Sequence, residues 1–147
     1  MKRQLVQSKQ PVHSVRGGAA VVELAIVLPF VVVVVFGCVD FGQFGSVWVA
    51  LTNAARTGAE YGANHRVTPA TQDQWEADIR AAAIEEMAET PGFDIEALQI
   101  AIEVSVDPAG GQRVSVDAGY EFKPVISSNG LPETIQLNRQ STMKLQL

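Results

Sequence analysis

The chain has 147 residues, a formal net charge of −5 and one cysteine, Cys38. Its charge is uneven: Lys2, Arg3, Lys9 and Arg16 stand ahead of any acid, and seven basic residues face sixteen acidic ones after Arg16. The length holds one small domain beside a membrane segment, the acidic body offers no footprint for nucleic acid or an anionic membrane surface, and Cys38 with only His13 and His65 forms neither an intramolecular disulfide nor a zinc site.

Ala19 to Val39 is a run of 21 residues in which Glu23 is the only charge, closed by Asp40. At about 1.5 Å per residue a helix of that length crosses a hydrocarbon core of roughly 30 Å. Val31 to Val35 favour a strand in water, but in lipid only a helix satisfies its own backbone, so a helix is expected, bent or loosened at Pro29. Basic residues ahead and an acidic body behind place the N-terminus in the cytoplasm and the rest outside the cell membrane, as a single-pass protein. Glu23 is the anomaly, because a carboxylate at mid-helix costs about 2.5–3.5 kcal/mol on insertion scales. It either snorkels to the cytoplasmic interface or has a partner.

Three processing routes compete for this start. No Ala-x-Ala site follows the apolar run for a general secretory cut. Val35-Phe36-Gly37-Cys38 has the small residue before cysteine of a lipoprotein signal, with a bulky Phe36 against it. A cut between Gly18 and Ala19, ahead of the run, would keep the helix in the mature protein and place Glu23 fifth in it.

A basic leader ending in glycine, then small or apolar residues, Glu and an apolar helix resembles the class III signal peptide of type IV pilins and pseudopilins. The string from Arg16-Gly17-Gly18 through Glu23 to Leu28-Pro29, followed by Phe36-Gly37, Asp40-Phe41-Gly42 and Leu51-Thr52-Asn53-Ala54-Ala55-Arg56-Thr57-Gly58-Ala59, is similar to TadE-like proteins of tight-adherence (Flp) pilus systems. The likeness spans about residues 16–63, with Leu24 where many relatives have an aromatic residue and valine in the mid-helix where leucine is commoner. It implies a non-enzymatic component of pilus assembly or a related secretion system, a minor pilin or pseudopilin. Its partners would be a prepilin peptidase cutting at Gly18 and Ala19, other pilin-like subunits and pilus assembly proteins. It also implies that Glu23 pairs with the amine freed at Ala19. Opposite charges about 4 Å apart gain roughly 4 kcal/mol at an effective dielectric near 20, which offsets much of the desolvation. The competing reading is a static single-pass anchor, uncut or lipidated at Cys38, presenting an extracytoplasmic binding domain.

Past the membrane the helix continues, with Trp48 at the outer interface. Ala55, Gly58, Ala59, Gly62 and Ala63 recur at helical spacing and form a stripe narrow enough for a second helix to approach closely. The stripe serves either another subunit or this chain's own domain, and the sequence leaves both open. Arg56 and Glu60 are spaced as an i,i+4 pair on the other side.

Residues 67–71 break the helix, leaving a leader (1–18), a transmembrane helix with its extension (19–66) and an extracytoplasmic domain (67–147). Thr71 and Gln74 fit a capping box opening a helix over about 72–89, with Trp75, Ile79, Ala83 and Met87 on its apolar face; Trp75 reads as a core anchor, and Glu85, Glu86 and Glu89 as a solvated face. Thr90-Pro91-Gly92 stops this helix. The period then changes to two: Ile100 to Val106 and Val114 to Phe122 form a hairpin about Pro108-Ala109-Gly110-Gly111, and Ile135 to Leu147 alternates again after a loop with Pro124, Asn129-Gly130 and Pro132. The expected fold is α+β: a long N-terminal helix, and an amphipathic helix on an antiparallel sheet of about three strands. No catalytic constellation stands out. His13 lies in the leader and His65 at a helix end, so neither has a base role, Ser127, Ser128 and Ser141 lack a triad pattern, Asp107 and Asp117 read as solubilising, and no helix start follows Gly110-Gly111 to cradle phosphate. No cofactor or small-molecule substrate is implied.

Overall fold

One helix, α1 (Gly17–Asn64), carries the apolar run and its continuation, and it is helical through Pro29. The computed structural model describes residues 17–65, 67–108, 110–125 and 133–146. The leader bases, His13, Ala109, Ser127, Ser128, Asn129-Gly130, Pro132 and Leu147 lie outside the described residues. The chain divides into two compact units, residues 1–35 and 36–147. In the first, every side chain from 18 to 35 is exposed. Among the described residues this helix is the one long and apolar enough to cross a membrane, and so large an apolar surface left open is what a lipid-facing segment requires.

The second unit is a two-layer α+β domain. Helix α2 (Gln72–Ala88) buries Trp75, Ile79, Ala83 and Met87, an i,i+4 row that forms one stripe on a helix. It ends where Pro91 offers no N–H and Gly92 takes φ of +75°, a backbone conformation that suits glycine. A 3-10 turn at Ile95–Ala97 leads into the sheet, in which β1 (Leu98–Val106), β2 (Gln112–Phe122) and β3 (Ile135–Lys144) are antiparallel in the order β1-β2-β3. The hairpin turn closes with Asp107 and Gly111 bonded through their backbones and Gly110 at φ of +82°. The central strand β2 presents Val114, Val116, Ala118, Tyr120 and Phe122, all buried, to the helices. Its opposite face carries Ser115, Asp117, Gly119 and Glu121, the alternation of a sheet covered on one side.

Five local expectations need correction or refinement. The outer part of α1 belongs to the domain core: Val47, Leu51, Ala54 and Ala55 are buried with Ala83, Met87, Ala118, Tyr120, Phe122 and Leu137. The capping box does not form. The Thr71 hydroxyl makes no cap bond; it accepts from the Thr68 N–H at 3.1 Å, while the Gln74 amide turns to Asp78 at 2.7 Å. On β1 the inward alternation holds for Ile100 and Ile102, but Val104 and Val106 are exposed, because this edge strand runs on past the helical cover. Strand β3 ends at Lys144, although Leu145 beyond it is still buried. Arg56 and Glu60 are both exposed, and the ion pairs formed among the described residues are Arg80–Glu76 and Arg113–Asp107 instead.

Candidate assembly site along the long helix

Gly18, Ala19 and Glu23 lie in the first turns of α1, all exposed. Ala19 and Glu23 are four residues apart, which puts them on one face of the helix a turn apart. Helical side chains lean toward the N-terminus, so the Glu23 carboxylate tilts back toward Ala19. In the intact chain the Ala19 nitrogen is a peptide nitrogen, and an ammonium partner exists there only after a cut.

Farther along, Ala55, Ala59 and Ala63 are buried, and so are Gly58 and Gly62. A β-carbon built at Gly62 would meet Ile79 Cδ1 at 2.8 Å, Trp75 Cζ2 at 3.1 Å and Val114 Cγ2 at 3.3 Å. At Gly58 it would meet Ile79 and Val116 at 3.4 Å. The Trp75 indole N–H donates to the Gly62 carbonyl at 3.3 Å and to the His65 carbonyl at 3.1 Å. The contacts of the stripe in this structure are therefore with α2 and β2 of its own chain. Trp75 is the core anchor its spacing indicated.

Two relationships were not read from the sequence. The Asp40 carboxylate, where the apolar run ends, accepts a hydrogen bond from the Val125 N–H at 2.7 Å. An acid at the edge of a hydrophobic run needs such a donor, and that need was the available signal. Trp48 stacks on Phe44, and Arg139 from β3 lies with its guanidinium carbon 3.3 Å from the Trp48 ring centroid. No local pattern announces that cation–π contact, which depends on the strand order.

Asp107 pairs with Arg113 at 2.6 Å, and His65 stacks on Tyr61, whose hydroxyl donates to Asp78. Glu85, Glu86 and Glu89 border a hollow beside Thr57. Among the described residues no group of three His, Cys, Asp or Glu could hold a metal ion.

Residues 18–60 match the family model for TadE-like protein. No curated protein and no solved structure matches the chain.

Proposed function

We propose that this chain, which carries a TadE-like region, is a structural component of a tight-adherence (Flp-type) pilus or related secretion system: a minor pilin or pseudopilin held in the cell membrane by its N-terminal helix. The observation that carries the reading is the family match over residues 18–60, which covers Glu23, the apolar run and the first part of the buried stripe, Ala55, Gly58 and Ala59. The leader lies in the cytoplasm and the α+β domain outside. A prepilin peptidase cuts between Gly18 and Ala19, and the amine so formed pairs with Glu23 on its own or a neighbouring subunit. The one-turn spacing of Ala19 and Glu23 supports this, as does the expense of leaving either charge alone near hydrocarbon. Association then proceeds through the lipid-facing part of α1, since the small stripe farther out is occupied by the chain's own α2.

The test is the N-terminal mass of the protein recovered from native membranes. A chain beginning at Ala19 is the expected result. Met1 at the start supports the static anchor instead, and a lipid-modified Cys38 removes the pilin reading.

A further inference from the structure

The hydrogen bond between Asp40 and Val125 ties a loop far along the chain to the point where α1 leaves the apolar run. Asp40 follows Val39, the last residue of that run, and its carboxylate holds the Val125 N–H at 2.7 Å. If Ala19 to Val39 spans the bilayer, Asp40 stands at the outer boundary of the hydrocarbon. Val125 is then within about one helical turn, some 5 Å, of the same level.

The exposed side chains at this level suit that position. Phe41 is 78% exposed and Val125 55% exposed, although both belong to the folded second unit. Lys123 is exposed two residues before Val125. An aromatic ring, an aliphatic side chain and a flexible cation are the groups that settle where acyl chains meet headgroups. Trp48, the residue expected there, lies two turns beyond Asp40 and is covered by Arg139.

We propose that the segment Lys123–Val125, together with Phe41, is a lipid-contact surface. It rests on the outer leaflet, with Phe41 and Val125 in the interfacial layer and the Lys123 ammonium among lipid phosphates. Asp40 is the positioning residue that latches this segment at the membrane exit. The Val125 N–H contributes one hydrogen bond to that carboxylate, which lowers the cost of holding it at the interface. The occupant is the bilayer itself, fixed by the length of the spanning run and by the Asp40 bond. The proposal rests on the membrane-spanning reading of α1 and goes beyond it.

The experiment uses the full chain in phosphatidylcholine vesicles, in a Cys38→Ser background. An environment-sensitive fluorophore is attached at Val125→Cys, at Glu103→Cys on β1 and at Val33→Cys inside the apolar run. Lipids carrying a quencher just below the headgroup are then added. The expected result is blue-shifted, strongly quenched emission at positions 33 and 125, and water-like, unquenched emission at 103. Adding Asp40→Ala should reduce quenching at 125 while leaving position 33 unchanged. Quenching at 33 with none at 125 overturns the lipid-contact surface alone. No quenching at either position removes the spanning reading and the surface with it. Full quenching at 125 in the Asp40→Ala protein overturns the latch.

Discussion

Gly62 and Ile79 meet so closely that a methyl added at the glycine would have to displace the end of the Ile79 side chain. A β-carbon at Gly62 would stand 2.8 Å from Ile79 Cδ1, with Trp75 and Val114 closing the other sides, whereas the one at Gly58 would find its nearest neighbours at 3.4 Å. Gly to Ala in a helix interior gains about 1 kcal/mol of helix propensity, and overpacking a filled core loses about 1–3 kcal/mol. The two glycines should therefore respond with opposite signs. Gly58→Ala is expected to stabilise the outer domain by up to about 1 kcal/mol, and Gly62→Ala to destabilise it by about 1 kcal/mol. Thermal unfolding of the detergent-solubilised chain, followed by near-ultraviolet circular dichroism, reads both. Equal effects would mean that the helices yield as readily at one site as at the other.

The outer part of α1 should also prove indispensable to the domain. Leu51, Ala54, Ala55 and Ala59 are all at most 1% exposed and fill the layer between α2 and the sheet. Residues 67–147 expressed alone would leave Ile79, Met87, Val114 and Val116 facing water, so that fragment should be unfolded or aggregated. A fragment from residue 44 onward restores the missing wall and should fold as a mixed helix and strand domain. Dispersed amide resonances from 67–147 alone would show that α1 is an addition to the core rather than part of it.

What the sequence disclosed, and what it withheld, follows from how local each signal is. The row Trp75, Ile79, Ala83, Met87 and the alternation along β2 are periodic within a single element, and both sit where that period places them. The stripe from Ala55 to Ala63 was equally visible, but the same spacing serves an internal helix or a neighbouring subunit; only the contacts with Ile79 and Val116 distinguish them. The capping box failed because the Thr71 hydroxyl has a competing use with Thr68. The Asp40–Val125 and Trp48–Arg139 contacts join residues distant in the chain. They require the strand order before they can be conceived. At the candidate site, Gly18, Ala19 and Glu23 came from family resemblance and the anomaly of a charge inside an apolar run, since no contact with other described residues picks them out.

Arg139 offers a separate test of how Trp48 is held. Its guanidinium covers the ring, yet its Nε is buried without a hydrogen-bond partner among the described residues. The favourable stacking, about 0.5–2 kcal/mol, is thus set against an unsatisfied donor worth about 1–3 kcal/mol. Arg139→Met keeps an apolar stem over the indole and removes the orphan donor, so it should change stability by less than about 0.5 kcal/mol. Arg139→Ala uncovers the ring and should lose about 1–2 kcal/mol, with Trp48 emission shifting to the red. A Met variant as unstable as the Ala variant would assign the contact's value to the charge.

The last prediction concerns Glu23. If its partner is the amine freed at Ala19, Glu23→Ala should leave membrane insertion intact, because losing a charge only makes the helix more apolar. Cleavage after Gly18 should persist, since the glycine and the basic leader are the features the resemblance assigns to peptidase recognition. Association should fail, because an ammonium at Ala19 would have to enter a helix interface without a counter-charge, an unpaired state costing several kcal/mol near hydrocarbon. Glu23→Gln separates charge from shape: it keeps the size and one acceptor but loses the ion pair, so it should assemble nearly as poorly as Ala. Gly18→Val blocks the cut, giving an uncut precursor of correct topology that likewise fails to assemble. The quantity to measure is the fraction of the protein in sheared filaments or in complex with pilus-system components, relative to its total membrane level. For both Glu23 variants that fraction should fall about tenfold or more, the change expected for roughly 1.4 kcal/mol or more of lost pairing. A normal fraction in both would mean that the carboxylate merely snorkels to the cytoplasmic interface, and that subunits join through apolar packing of α1 alone.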